Sequence, residues 1–127
     1  MAILKRGADA VYCSHPAHFI AAMAREGIPV AGHVGLVPNL AAWTGFRAVG
    51  RTAEEAVKVL QKVKDLENAG AAFVEVVQVE LADHITRTTP MVTMGMGCGD
   101  ACDTQYLFSS DLLGTNTGQY PRHSKKY

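Results

Sequence analysis

Glu75 is the acid best placed to do chemistry, because it interrupts the apolar run Ala72-Phe-Val-Glu-Val-Val77. A carboxylate among such neighbours is costly unless paired, since burying even one unpaired polar group costs roughly 2–7 kcal/mol. Desolvation favours the protonated acid, which suits a group that takes or gives a proton. The competing reading places Glu75 near the strand's end, touching water or a buried arginine. His33, within Gly32-His-Val-Gly-Leu36, is the second candidate. Small residues on both sides let backbone or substrate approach it closely, although a structural hydrogen-bond donor has the same surroundings. Gly95-Met-Gly-Cys-Gly99 could cradle a phosphate with backbone N–H groups, but no P-loop lysine accompanies it, and a turn explains the glycines equally well. Cys98-x₃-Cys102 and His15-x₂-His18 have the spacing of metal half-sites. Neither has a second pair to complete it. The cysteines read as free thiols, and the histidines as a loop residue and a solvent-facing helix residue.

The elements that position these residues alternate between short apolar runs and helical patterns. Asp9 to Cys13 reads as a buried strand, and Ser14-His-Pro16 as an N-cap and first-turn proline opening a helix to about Arg25. Gly27 ends that helix, and Ile28 to His33 reads as the next strand. The glycine- and proline-marked stretch from Val34 to Gly50 is a long loop, of the length that is usually functional. Thr52 and Glu55 have capping-box spacing. Ala53, Ala56, Val57, Leu60, Val63 and Leu66 then recur at threes and fours, predicting a helix with one apolar face that stops at Gly70. Ala72 to Val77 is a buried parallel strand by composition. A helix follows from Glu80 to Thr88 with Leu81, Ala82 and Ile85 inward. Met91 to Met94 and Gln105 to Phe108 are the last two strands. Strands joined by crossover helices pair in parallel, and in such folds ligands meet the strands' carboxyl ends. Those ends hold Tyr12 to Ser14, His33, Glu75 and the loop from Gly95.

Composition limits the function classes. Of 127 residues, 48% are hydrophobic and 19% charged, with a formal net charge of zero; this is the make-up of a globular domain. The neutral balance gives no reason to expect nucleic acid or an anionic membrane as partner. No apolar run is long enough to span a bilayer, and Met1 to Arg6 does not read as the start of a signal peptide, so none is expected. A cytoplasmic location is expected, with the odd number of cysteines free.

Several stretches together resemble one family, the ketopantoate hydroxymethyltransferases, within the phosphoenolpyruvate mutase and isocitrate lyase superfamily of barrels. They are Gly7 to Val11, Ile28-Pro-Val-Ala-Gly-His-Val-Gly-Leu-Val-Pro38, Phe46 to Arg51, Leu66 to Ala71, Glu75-Val-Val-Gln-Val-Glu-Leu-Ala82, the glycine loop, and Asp103 to Gly114. The resemblance implies an α/β fold: the C-terminal half of a (β/α)₈ TIM barrel. The strands would resemble the fourth to the eighth in residues 1–114, followed by a polar, basic tail at 115–127. A complete barrel needs about 250 residues, so the chain looks truncated and is expected to self-associate.

The implied reaction transfers a one-carbon unit from 5,10-methylenetetrahydrofolate to the 2-oxo acid 3-methyl-2-oxobutanoate, giving 2-dehydropantoate for pantothenate synthesis, with Mg²⁺ chelated by the substrate. Glu75 matches the family's catalytic glutamate, and His33 the histidine lining the substrate pocket. Tyr12 and Ser14 occupy the positions of the family's substrate lysine and metal-binding glutamate, so no metal ligand is identified. The alternatives are a related 2-oxo-acid lyase or mutase using enolate chemistry, or an inactive partial-barrel homologue.

Overall fold

The computed structural model describes residues 4–36, 50, 52–118, 120, 121, 123 and 124. Most of the long loop expected between Val34 and Gly50, and the tail cations Arg122, Lys125 and Lys126, lie outside these residues.

A 3₁₀ turn at Leu4–Arg6 leads into β1 (Val11–Tyr12), α1 (Ala17–Arg25), β2 (Val30–Val34), α2 (Ala53–Asn68), β3 (Phe73–Val76), α3 (Val79–Thr88), β4 (Val92–Gly95), β5 (Thr104–Gln105) and α4 (Ser109–Leu112). The strands form one sheet in the order β1-β2-β3-β4-β5, every neighbouring pair parallel. This sequential order is consistent with part of a TIM barrel and lacks the strand-order reversal of a doubly wound sheet.

The sequence explains most of the boundaries. Gly27 and Gly70 end α1 and α2 at φ 72° and 83°, a left-handed conformation that glycine adopts without a Cβ penalty. Thr52 Oγ1 caps α2 by accepting from the Glu55 N–H at 3.2 Å, while the Glu55 carboxylate accepts from the Gly50 N–H at 3.1 Å. Two local expectations need correction. Pro16, not Ser14, is the N-cap of α1, with no side-chain cap bond; proline's fixed φ orders the entry instead. On α2, Val59 is buried with Val63 and Leu66, whereas Val57 is 66% exposed and Ala53 is also exposed. The buried stripe therefore lies further round the helix than the expected one. β5 is also shorter than the expected Gln105 to Phe108, with Phe108 serving as the N-cap of α4.

The core lies between the sheet and the helices. Ile20 of α1, Val59, Val63 and Leu66 of α2, and Ala82 and Ile85 of α3 pack with Val30, Val34, Val74 and Val76. Because strand side chains alternate, these valines assign one sheet face to the helices. Gly32 belongs to the same face: a Cβ there would stand 2.7 Å from Leu66 Cδ1. Residues between them point the other way. Register pairs Tyr12 with Ala31, His33 with Glu75, and Glu75 with Met94, so these share the face away from the helices.

Candidate active site

Glu75 sits between two helix-face valines, and the alternation of β3 turns it to the open side of the sheet. Opposite it in register on β2 is His33. The two side chains are buried, and Glu75 Oε2 lies 3.0 Å from His33 Nδ1. Tyr12, at the end of β1, completes the cluster with its hydroxyl 2.7 Å from the same Nδ1. The His33 ring turns its other nitrogen to the backbone, with Nε2 2.7 Å from the Leu36 carbonyl oxygen.

A carbonyl oxygen only accepts, so Nε2 carries a proton and donates it to Leu36. Nδ1 then faces a carboxyl oxygen, and two lone pairs cannot bond. A hydrogen bond along the 3.0 Å contact therefore needs a proton on one of the two groups, while the Tyr12 hydroxyl, 2.7 Å from the same Nδ1, is the other donor that can meet it. In a direct bond the pair is imidazolium with carboxylate or neutral imidazole with carboxylic acid, and the two forms differ by the movement of one proton along the contact. Tyr12 stays protonated beside them. Burial of its hydroxyl pushes it above the ordinary phenol value of 10.0, and the hydrogen bond to Glu75 and the charge of Glu75 push in the same direction. Half of the Tyr12 surface is exposed (51%), so it is the rim of the cluster while Glu75 is its floor.

The structure thus brings together Glu75, His33 and Tyr12. Ser14 follows β1, half-buried, and the bond that defines the cluster is not made through it. His15, in the loop, and His18, on α1, are both exposed, and their rings lie tilted against Phe19 with centroids 5.5 and 4.3 Å away. Among the described residues no three or more His, Cys, Asp or Glu side chains are grouped to hold a metal ion. The glycine loop serves a turn: Gly97 and Gly99 have φ 66° and 85°, and the next element is a strand, not a helix N-terminus.

Sequence reasoning missed a second polar knot, at Thr93. This residue is fully buried on the helix face. Its N–H and its hydroxyl both donate to Asp103 Oδ2, at 2.8 and 2.9 Å, and its hydroxyl also meets Thr86 Oγ1 at 2.9 Å. The backbone N–H bond, then the hydroxyl bond, hold the Asp103 carboxyl below its usual value. The signal available was a lone threonine in an apolar strand, which must find partners if buried.

The sequence model of one family, ketopantoate hydroxymethyltransferase, matches residues 1–127. Similar curated proteins share its chemistry by name. The 3-methyl-2-oxobutanoate hydroxymethyltransferase of Nitrosopumilus maritimus is 39% identical over 131 residues, covering 98% of this chain and 47% of that protein. That of Thermotoga maritima is 38% identical over 130 residues, covering 98% and 48%. The 3-methyl-2-oxobutanoate hydroxymethyltransferase 1 of Methylibium petroleiphilum is 40% identical over 114 residues, covering 87% and 39%. The chain spans about half the length, or less, of these relatives.

Proposed function

The chain belongs to the ketopantoate hydroxymethyltransferase family, and from that premise we propose that its open sheet face carries the proton-transfer part of a one-carbon transfer to 3-methyl-2-oxobutanoate. The donor of the one-carbon unit is 5,10-methylenetetrahydrofolate. The observation that carries this reading is the buried Glu75–His33 pair, 3.0 Å apart at the carboxyl ends of adjacent parallel strands, where α/β barrels place their chemistry.

Glu75 is the group that takes the proton from C3 of the 2-oxo acid. The resulting enolate carbon then forms the new carbon–carbon bond to the one-carbon unit. Glu75 exchanges its proton with His33 along their existing contact. His33, with both ring nitrogens already engaged, lines the substrate pocket and orients the carboxylate. In this reading the five strands correspond to the fourth to eighth of an eight-stranded barrel. Tyr12 and Val92, exposed on the open face at 51% and 39%, support that reading, since closure by further strands or a second copy would cover them.

The magnesium ion that the family implies does not fit the side chains of this face. A hard divalent cation takes carboxylate and carbonyl oxygens. Here Tyr12 presents a protonated phenol, position 14 is a serine, and the Glu75 carboxyl is held by His33. The proton steps above are accordingly assigned to protein groups alone.

The direct test is exchange of the C3 proton of 3-methyl-2-oxobutanoate in deuterated buffer, followed by proton NMR, with and without added magnesium. The protein should accelerate exchange, and Glu75→Gln should remove the acceleration. Exchange no faster than with Glu75→Gln would sink the assignment. Complete turnover with 5,10-methylenetetrahydrofolate is the second assay, because it also needs the folate-binding surface.

A further inference from the structure

The loop between β4 and β5 contains two of the chain's three cysteines. Cys98 and Cys102 are both buried, and their sulfurs lie 3.7 Å apart, in contact. Their common neighbour is Gly95, the last residue of β4. A Cβ on Gly95 would stand 2.9 Å from Cys98 Sγ and 3.3 Å from Cys102 Sγ. The two sulfurs therefore fill the space that a side chain would otherwise take.

The loop is built to keep them there. At its base the Asp103 carboxylate accepts from the Thr93 N–H and hydroxyl, and the Asp103 N–H donates to Thr93 Oγ1 at 3.0 Å. Gln105 Nε2 donates across the loop to the Gly99 carbonyl at 3.1 Å. The left-handed turns at Gly97 and Gly99 fold Cys98 back over the strand end. Cys13, the third thiol, is also buried but forms no such pair. Once one of two thiols held in contact carries a mixed disulfide, the other displaces the attached group far more readily than a free thiol does, because the encounter is intramolecular.

We propose that Cys98 and Cys102 form a dithiol site that low-molecular-weight disulfides oxidise to an intramolecular disulfide. Cys102, the less buried of the two at 9% against 1%, loses its proton to solvent, and its sulfur attacks the disulfide RSSR. One sulfur–sulfur bond breaks, a mixed disulfide forms on Cys102, and the released thiolate takes up a proton as RSH. Cys98 then loses its proton and attacks the Cys102 sulfur, expelling the second RSH. The two protein thiols are oxidised by two electrons, and RSSR is reduced to two RSH. Closure brings the sulfurs from contact to a bond of about 2.05 Å.

Burial pushes the Cys98 thiol up to about 12, helped by the hydrogen bond with Cys102 and the charge of Cys102. Thiolate is the attacking species and burial disfavours it at Cys98, so closure speeds up as pH rises. The loop leaves β4 through Met96, whose N–H donates to the Val76 carbonyl at 3.0 Å, one residue beyond Glu75. The dithiol thus sits at the same end of the sheet as the proposed site but on the helix-side face, and shares no residue with it.

The test is incubation of the folded protein with oxidised glutathione, an acid quench, then thiol titration in denaturant and intact mass. Two of the three thiols should disappear, the mass should fall by two hydrogens with no glutathione retained, and dithiothreitol should restore both. Proteolysis before Asp100 should leave peptides joined only through Cys98 and Cys102, with Cys13 still free. Cys98→Ser should instead trap glutathione on Cys102. Three titratable thiols after equilibration, a lasting glutathione adduct on the unsubstituted protein, or a bridge to Cys13 would each overturn the proposal. The wild-type mass and thiol count decide this even if the serine variant does not fold.

Discussion

The two faces of the sheet differ although the same strands build both. On the helix side Val30, Val34, Val74 and Val76 have no exposed surface and lie against Ile20, Val63 and Ile85. One residue away along each strand, the open side holds His33 and Glu75, with Tyr12 at its rim. A polar group on the helix side, Thr93, is fixed by hydrogen bonds to Asp103 and Thr86. The polar groups on the open side, His33 and Glu75, meet 3.0 Å apart and reach the surface through Tyr12. A sealed face converts burial into stability, whereas an open face can convert it into proton transfer.

That contrast can be broken from either side. Glu75→Gln keeps the shape of the side chain but not its basicity. It should lower C3 proton exchange by roughly 10²–10⁴-fold, the usual contribution of a general base, while near-UV circular dichroism stays native. Ile85→Ala should do the reverse. It removes a fully buried side chain on the helix face and should cost about 2–5 kcal/mol in urea unfolding, with exchange per folded molecule unchanged. A large activity loss in folded Ile85→Ala would show that the two faces are not separable.

Smaller effects sharpen the same division. Thr93→Val removes the buried hydroxyl shared with Asp103 and Thr86, and should cost about 1–3 kcal/mol. It should also flatten the acid limb of stability. The folded Asp103 value lies below the ordinary 3.8, so its contribution is present above that value and is lost as pH falls through the folded one. Removing the hydroxyl takes away the second cause of that depression and leaves the backbone N–H bond. Tyr12 gives the opposite sign at high pH. Its folded value is raised, so its contribution is complete below about 10 and declines as pH rises from there toward the folded value. An ultraviolet titration should show a late phenol that Tyr12→Phe removes. Thr52→Ala, at the exposed cap of α2, should cost only about 1 kcal/mol by thermal or urea unfolding.

The local reading succeeded where short-range physics decides. Gly27 and Gly70 stop helices because only glycine meets the left-handed turn cheaply, and Thr52 caps because its oxygen reaches an otherwise unpaired N–H. It failed on α2, where Val57 and Val59 are equally apolar and only the position of the sheet selects Val59. It failed at Ser14 because proline sets the helix entry without a side-chain bond. Glu75 and His33 were legible as candidates, from an acid in an apolar strand and a histidine at a strand end. The role of Tyr12 was not, because its hydroxyl meets His33 only through the register of β1 on β2.

By itself, then, the sequence determined the alternation of parallel strands and helices, the family, and the identity of the two buried polar groups on β2 and β3. These follow from residue types and spacings within a few positions of one another. Only the tertiary structure decided that Glu75 turns away from the helices, that Tyr12 joins it at His33, and that Cys98 meets Cys102 over Gly95. Each of these depends on cross-strand register or on a side chain's absence, and neither is visible until the strands are laid side by side.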